Sequence, residues 1–256
     1  MRDKTFIKKW GINILLVISI VGVSIYYSTG KGFMVFSNIL EENKSIPIHS
    51  VETAEKVVAI TINVGFGKQY TKEILEVLED EGVKVSFFVM GSWIDRYKED
   101  LLMIHKSDHE IGNNSSTYPH LTKLKREQIV GEVNECSEKI KEISMDEARI
   151  FRPPYGDYND ISQKAINDIG YYPIIWDVDS QDNSEKLSEE ISDTILKQVS
   201  NGSIILFHNN SEKTKDALKD SIRQLKKSGY KFLKVSDIIY KNNYYVDHTG
   251  RQININ

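Results

Sequence analysis

Apolar positions along the chain form two kinds of pattern, which alternate between about residue 57 and residue 240. Short uninterrupted runs rich in β-branched residues predict buried strands, and the first of them begins at Val57. Longer segments with apolar residues three and four positions apart predict amphipathic helices. The further predicted strands are 85–90, 110–112, 150–152, 172–176, 203–207 and 230–233, and the predicted helices are 70–81, 97–106, 125–143, 161–169, 189–199, 214–228 and 235–240.

This alternation of strand and helix predicts a parallel sheet, because each strand is followed by a helix or a long crossover. Its length favours an α/β fold of the irregular (β/α)7–8 barrel type, with a doubly wound open sheet as the alternative. In both folds the functional groups lie on loops that leave the carboxyl ends of the strands. Asn63, Val64 and Gly65, which follow the first strand, are therefore expected at a site.

The N-terminus carries a second kind of apolar pattern. The basic flank 1–9 precedes the uncharged run 10–27, whose length is close to the ~20 residues that cross a bilayer. Because the basic residues come first, the positive-inside rule places the flank in the cytoplasm and the rest of the chain outside. We expect an uncleaved transmembrane helix at 10–27. A cleaved signal peptide is the alternative, although the sequence after the run lacks a clear Ala-x-Ala site.

The remaining segments predict the domain organisation. Residues 28–55 are mixed and polar with little periodicity, which is typical of a linker. The alternating region, 56–240, is the expected compact domain. Residues 241–256 are polar and rich in asparagine, and we expect a loosely ordered tail there.

Composition and charge narrow the function classes. The chain has 40% hydrophobic residues, 27% charged residues and a net charge of −4, so a globular domain is expected and nucleic acid is not an expected partner. The single cysteine, Cys136, cannot form a disulfide within the chain. It shares one helix face with Ile129, Val133 and Ile140, which predicts a core position.

Polar groups with possible chemical roles follow several predicted strands. Arg152 begins the sequence Arg-Pro-Pro-Tyr-Gly, Asp179 and Asp182 follow Trp176, and His208 ends an apolar strand. In this order they resemble the polysaccharide deacetylase family, which has the NodB homology domain, and more narrowly the membrane-anchored homologues of spore-forming bacteria. The matching segments are Lys56–Ile62, Val85–Gly91, His109–Asn113, Phe151–Gly156, Trp176–Asp182 and Gly202–His208.

The resemblance implies a fold with its groove at the strand carboxyl ends, and metal-dependent hydrolysis of N-acetyl sugars. In the family a divalent metal, commonly zinc, is held by one aspartate and two histidines, while a second aspartate is the general base. The positions that match the metal ligands here are Val64, Asn114 and Tyr118, and the position of the base is Asn63. The ligand positions are therefore degenerate, and we expect no bound metal cofactor.

The resemblance also implies which parts of the site are kept. Arg152 matches the arginine that orients the base, Asp179 and Asp182 match the acidic motif that positions the histidine, and His208 matches the general acid. Without the usual aspartate, we expect Arg152 to pair with Asp179 or Asp182, or to face the groove as a free cation that suits carboxylate ligands. The residues that match the substrate groove are Pro154, Tyr155, Gly156 and Leu206.

The rate contributions expected from a general base and a metal are large, so their loss favours an inactive protein. A general base contributes on the order of 10²–10⁴ in rate, and the amide of Asn63 cannot replace it. The metal contributes several kcal/mol more. The first hypothesis is therefore an inactive homologue at the cell membrane that binds cell-wall glycan or an envelope protein, with a role in sporulation implied by the resemblance alone.

Two other hypotheses stay open. One is an active carbohydrate N-deacetylase of peptidoglycan with a rebuilt site, in which His105, His109 and His120 would hold a relocated metal. His105 and His109 have the i, i+4 spacing of a helical metal pair, although a structural position at a turn is the preferred interpretation of His109. The other is an architectural domain tethered to the membrane, with an incidental groove.

Overall fold

The structure is a computed structural model that describes residues 46–67, 69–184 and 186–255. The basic flank 1–9, the apolar run 10–27 and most of the predicted linker lie outside the described residues, so the membrane anchor stays a prediction. None of the helices within the described ranges has the length and apolar character needed to cross a membrane.

A parallel sheet of eight strands forms the centre of the described part of the chain. Its order is β6-β5-β4-β3-β2-β8-β7, and β9 pairs with β2. A separate three-stranded sheet contains β1 and two strands near the C-terminus. The first nine strands are β1 (Ser50–Val51), β2 (Val57–Asn63), β3 (Ser86–Val89), β4 (Glu110–Asn113), β5 (Ile150–Phe151), β6 (Tyr172–Pro173), β7 (Val178–Asp179), β8 (Ile204–His208) and β9 (Lys231–Phe232).

Helices connect the strands, as the apolar periodicity predicts. Short 3₁₀ turns at Leu121–Lys123 and Pro154–Gly156 lie in the loops after β4 and β5. The predicted parallel α/β fold is therefore confirmed, and the barrel takes the form of a half-barrel. The helices are α1 (Thr71–Asp80), α2 (Gly91–Ile94), α3 (Lys98–Lys106), α4 (Arg126–Ser144), α5 (Asp160–Asp168), α6 (Ser188–Gln198), α7 (Thr214–Lys227) and α8 (Val235–Ile238).

The core lies on both faces of β2, all seven residues of which are buried. This explains why the strand reads as a continuous apolar run, because a central parallel strand is covered on both sides. Helix α4 buries the predicted face, including Cys136, whose Sγ contacts the carbonyl oxygen of Val89 at 3.4 Å. Cys136 is fully buried, which confirms it as a core residue, and this burial raises the pKa of its thiol to about 12.

The segment before β2 bonds both the edge strand β6 and the residue that leads into β8. Ile48 N donates to Pro173 O at the edge strand β6, and Val51 N donates to Gly202 O just before β8, at 2.8 and 2.9 Å. These residues belong to the predicted linker, yet Ile48 and Val51 are buried. Apolar residues at 46–51 therefore pack with the compact domain.

The expectation of a loosely ordered C-terminal tail is wrong for residues 241–255. Strands β10 (Tyr244–Val246) and β11 (Arg251–Asn254) pair antiparallel, and β11 pairs parallel with β1. The buried amide of Gln252 exchanges hydrogen bonds with the backbone of Tyr240 at 2.7 and 2.8 Å. Polar composition was a misleading sign here, because the polar side chain satisfies its hydrogen bonds inside the structure.

Candidate functional site

The parallel register brings the polar strand ends to one edge of the sheet. Asn63, the last residue of β2, lies opposite Phe88 of β3 and His208 of β8. Farther along, Asn113 of β4 lies opposite Phe151 of β5, so Asn114 and Arg152 leave neighbouring strands together. The sequence-predicted residues from four strands therefore face a common region.

Arg152 is the centre of one side of this region. Its side chain is buried, and Nη1 donates to Asn63 Oδ1 while Nη2 donates to Ile175 O, both at 2.9 Å. The guanidinium carbon lies 4.0 Å from the ring centroid of Phe88 and 5.3 Å from that of Trp176. Burial lowers the pKa of Arg152 to about 9, because desolvation disfavours the charged form.

The expectation that Arg152 pairs with an aspartate, or faces the groove as a free cation, is wrong. The amide oxygen of Asn63 and backbone carbonyl oxygens accept its hydrogen bonds. Asp182 instead bonds His208, and Asp179 Oδ1 accepts from Gln181 N at 2.8 Å. Arg152 therefore holds the loop after β5 against β2.

The three positions that match metal ligands carry unsuitable side chains. Val64 is 1% exposed and packs in the main apolar core, and Val64 N donates to Phe88 O. Asn114 is also 1% exposed, its Nδ2 donates to Arg152 O at 2.7 Å, and its Oδ1 has no partner. Tyr118 Oη accepts from Tyr155 N at 3.4 Å.

This donor set does not fit the zinc site that the resemblance implies. Zinc in proteins takes thiolate, imidazole or carboxylate ligands, whereas these positions offer an aliphatic chain, a neutral amide and a phenol. Within residues 46–67, 69–184 and 186–255, no group of three or more His, Cys, Asp or Glu side chains is arranged to hold a metal ion.

On the other side of the region, His208 and Asp182 bond each other. His208 Nδ1 donates to Asp182 Oδ1 at 2.8 Å, and the backbone N of His208 donates to Asp182 Oδ2 at 2.8 Å. Thr214 Oγ1 also donates to Asp182, which is fully buried. The carboxylate thus fixes the orientation of the imidazole, whose side chain is 19% exposed. Asp179 does not contact His208 through a hydrogen bond.

The residues that match the groove form an uneven surface. Pro154 and Leu206 are buried, while Tyr155 is 58% exposed. Tyr155 has a left-handed backbone with φ +60°, and its ring stacks on His120 with centroids 4.3 Å apart. Gly156 also has a positive φ, +66°, so this turn is tight. Tyr155 is the exposed member of this set, so its side chain is the apolar surface that these residues offer to a ligand.

A network of amides that the sequence did not predict lies under the loop after β2. Asn209 Oδ1 accepts from Gly65 N at 2.8 Å, and Asn209 Nδ2 donates to Gln69 Oε1 at 2.6 Å. The same Gln69 oxygen accepts from Trp93 Nε1 at 2.7 Å, and Gln69 Nε2 donates to Gly65 O at 3.0 Å. The sequence did contain one signal for Asn209. This residue directly follows His208, which ends β8, the strand beside β2.

The histidines considered for a relocated metal bind separate partners. His105 Nδ1 lies 3.0 Å from Asp146 Oδ2, and His120 Nδ1 lies 3.2 Å from Asp157 Oδ2. His109 lies beyond the end of α3, so the alternative of a helical metal pair with His105 is not formed. His109 Nδ1 accepts from Val85 N at 3.2 Å, and burial lowers the pKa of His109 to about 4. Its structural role at a turn is confirmed.

Comparison with known proteins identifies the family. The profile of the polysaccharide deacetylase family matches residues 50–174. The peptidoglycan-N-acetylmuramic acid deacetylase PdaA of Bacillus subtilis is 31% identical over 193 residues, which cover 74% of this chain and 73% of PdaA. A peptidoglycan-N-acetylglucosamine deacetylase of Bacillus cereus is 30% identical over 198 residues, covering 75% of this chain and 92% of that protein. The chain therefore belongs to the polysaccharide deacetylase family.

A solved structure agrees with this assignment. The wild-type form of a CE4 family pseudoenzyme from Bacillus anthracis matches with a TM-score of 0.73 and 30% identity, over 78% of this chain and 70% of that chain. A mutant of that pseudoenzyme is described as having restored enzymatic activity. The family thus includes a protein of similar fold that is called a pseudoenzyme.

Proposed function

We propose that this protein has lost metal-dependent N-deacetylase activity and acts by binding the glycan of the cell wall. The observation that carries the proposal is Val64. An aliphatic side chain, 1% exposed and packed in the core, stands where the resemblance places a metal-binding carboxylate. A carboxylate at that depth needs a cation beside it, whereas valine is stable there without one.

The position of the general base supports the same proposal. Asn63 Oδ1 accepts a hydrogen bond from Arg152, and an amide oxygen does not take a proton near neutral pH. Loss of the base alone removes roughly 10²–10⁴ in rate. The loss of base and ligands together leaves no route for the family's hydrolysis through these residues.

Glycan as the ligand is supported by the relatives and by the surface of the groove. The relatives in Bacillus subtilis and Bacillus cereus are named as peptidoglycan deacetylases. The exposed ring of Tyr155 offers an apolar face, and the imidazole of His208, fixed by Asp182, offers a polar atom. Sugar rings present both apolar faces and hydroxyl groups, so such a surface suits them.

We also propose that the domain lies outside the cytoplasmic membrane, tethered by residues 10–27. The basic flank before an uncharged run supports this topology. Protease added to intact protoplasts is expected to digest the domain and to spare a tag at the N-terminus. Full protection of the domain would overturn the topology.

The central test restores the missing groups in the full-length protein. The triple variant Val64→Asp, Asn114→His, Tyr118→His is expected to bind one Zn²⁺, and the quadruple variant with Asn63→Asp is expected to deacetylate N-acetylglucosamine oligomers. The triple variant should bind zinc and remain slower by roughly 10²–10⁴, the contribution of a general base. Zinc content by elemental analysis, thermal melting with and without zinc, and amine release measure these outcomes.

Results obtained with the wild-type protein could contradict the proposed function in two ways. Wild-type protein that copurifies with one metal and hydrolyses acetamido sugars would support the alternative of an active deacetylase with a rebuilt site. Wild-type protein that binds no chito-oligomer and no peptidoglycan fragment would contradict glycan binding and favour the architectural hypothesis. A folded quadruple variant that binds no metal would show that the scaffold differs beyond these four positions.

A further inference from the structure

An exposed phenylalanine lies on the loop after β2. Phe66 is 55% exposed. The phenylalanines of β3, β5 and β8 are buried, namely Phe87, Phe88, Phe151 and Phe207. An exposed ring forgoes the stabilisation that burial gives to the other four, and exposed apolar side chains that are grouped at one place mark binding surfaces. The position of Phe66 in the fold therefore decides what its ring can bind.

Hydrogen bonds fix the backbone on either side of this ring. Asn210 Nδ2 donates to Phe66 O at 3.0 Å, and Gly65 N donates to Asn209 Oδ1 at 2.8 Å. Asn210 also packs so closely that a Cβ on Gly65 would lie 2.7 Å from its amide nitrogen. The loop is thus held in one backbone position, and a ligand that contacts the ring does not have to order the loop first.

The same bonds place Phe66 beside the histidine of the groove. Asn209 and Asn210 directly follow His208, which is the last residue of β8. The loop after β2 therefore packs on the chain that leaves β8, at the point where Asn63 lies opposite His208 in the sheet. Phe66 belongs to the rim of the groove on the side of β2 and β8.

Tyr155 is the exposed aromatic residue on the loop after β5. Arg152, at the start of that loop, bonds Asn63 of β2. Phe66 and Tyr155 each lie three residues beyond one partner of this bond. Strands β4 and β3 separate β5 from β2, so three strand spacings, about 14 Å, lie between the two loops along the sheet. A single sugar ring is too short to contact both side chains, whereas a chain of several sugars has the length to do so.

We infer that Phe66 is a second sugar-binding side chain, and that this protein binds a glycan chain long enough to contact Phe66 and Tyr155 together. The inference rests on the proposed glycan binding and names the length of ligand that this binding requires. Each ring offers an apolar face to the C–H groups of a sugar, while the sugar hydroxyl groups stay in water. The two contacts reinforce each other, because the second forms within a complex that the first has already assembled.

The dimer and the hexamer of N-acetylglucosamine test the inference with the purified full-length protein. Binding is measured by calorimetry at one ionic strength. Phe66→Ala is expected to lower the affinity for the hexamer about tenfold, the effect of 1.4 kcal/mol, which corresponds to roughly 55 Å² of buried apolar surface. The dimer contacts only one ring at a time and keeps Tyr155 as a site, so its affinity should fall by no more than about twofold.

Three further variants separate an aromatic contact from a general apolar one. Phe66→Trp keeps an aromatic face and should retain the affinity for the hexamer, whereas Phe66→Leu keeps an apolar side chain without a ring and should lose it. Leu187→Ala is the matched control, because Leu187 is 64% exposed just before α6, at the same end of the sheet, and is aliphatic. It should leave both affinities unchanged. Equal losses in Leu187→Ala and Phe66→Ala would overturn the inference.

The remaining outcomes distinguish the inference from the proposed function. Wild-type protein that binds the hexamer, together with a Phe66→Ala protein that binds it equally well, would overturn the inference and leave glycan binding intact. Wild-type protein that binds neither oligomer would overturn both. Because the ring is exposed, each variant is expected to melt cooperatively at the wild-type temperature. If Phe66→Ala melts at a lower temperature, the pair Phe66→Leu and Phe66→Trp carries the same comparison.

Discussion

The two sides of the groove differ in how their buried polar groups are satisfied. On the side of β2 and β4, a neutral amide bonds a buried cation, and Val64 is apolar. On the side of β7 and β8, the buried carboxylate of Asp182 bonds His208 twice and Thr214 once. One side carries an amide and an aliphatic side chain at positions that match the family's base and a metal ligand, whereas the other carries a buried acid bonded to a histidine.

A histidine and an aspartate at these positions do not by themselves indicate catalysis. Asp182 accepts three hydrogen bonds and lies at the start of the connection to α6, so the structure depends on it. A buried donor that loses its acceptor costs about 1–3 kcal/mol. Stability alone is therefore a sufficient reason for the sequence to keep Asp182, whatever becomes of the metal side.

The largest expected effect tests that reason. Asp182→Ala removes the acceptor of three donors and should lower the free energy of unfolding by about 3–5 kcal/mol, because each buried donor without an acceptor costs about 1–3 kcal/mol. Asp182→Asn keeps the size and one acceptor oxygen, so its loss should be smaller. Urea denaturation of both variants measures the difference.

A small loss of stability in Asp182→Ala would contradict the explanation that Asp182 is kept for stability. If Asp182→Ala lost less than about 1 kcal/mol, the scale of one ordinary hydrogen bond, the acid side would not be kept for stability. A function for His208 would then be the better explanation of its presence. In that case the pH dependence of glycan binding in His208→Gln would become the next measurement.

The second prediction restores a charge on the other side. Asn63→Asp places a carboxylate where Asn63 Oδ1 now lies, 2.9 Å from Arg152 Nη1, and gives the buried cation a counter-charge. The protein should gain about 1.4–2.7 kcal/mol at pH 7, which corresponds to lowering the pKa of a carboxyl group by 1–2 units beside a guanidinium. Asn63→Ala is the matched control and should lose stability, because Arg152 then loses an acceptor.

The pairing of the new carboxylate in Asn63→Asp with Arg152 decides how the gain in stability changes with pH. A carboxylate beside a guanidinium has a folded-state pKa below its unfolded value of about 3.9, so the gain is complete above that pH. It is lost as the pH falls through the folded-state pKa. The same carboxylate should raise the pKa of Arg152 from its lowered value of about 9. A gain that persists at pH 2 would contradict an ion pair.

The strands and helices, and the difference between the two sides of the groove, could be predicted from the sequence. Strand β2 and helix α4 were predictable because their apolar periodicity is clear over many residues. The substitutions at Asn63 and Val64 were visible because the surrounding segments match the family closely. These features depend on residue type and spacing, which a single sequence contains.

Other features depend on distances that the sequence does not contain. The partner of Arg152 could not be predicted, because an amide on β2 and two carbonyls after β6 approach it only in the folded sheet. The pairing of β11 with β1 joins residues about two hundred positions apart, and polar residues such as Gln252 concealed it. Long-range pairing and satisfied polar groups were the limits of the prediction.

The smallest expected effect concerns the surface that the two sides share. His120 stacks on Tyr155 at 4.3 Å and an interplanar angle of 17°, and it lies beside Asp157. His120→Ala should lower the affinity for chito-oligomers about two- to fivefold, because an aromatic pair contributes roughly 0.5–1.5 kcal/mol and only part of this orients the Tyr155 ring. The stability should change by less than about 1 kcal/mol, since the contact with Asp157 is partly exposed to solvent.

His105→Ala is the matched control for this variant. His105 also lies beside an aspartate, Asp146, at 3.0 Å and is similarly exposed, but its ring stacks on no aromatic side chain among the described residues. It should leave the affinity unchanged. Equal losses in the two variants would show that surface charge, rather than the ring of Tyr155, decides glycan binding. A loss confined to His120→Ala would place recognition on the aromatic side chain of Tyr155, on the side of the groove that contains the positions matching the family's metal ligands.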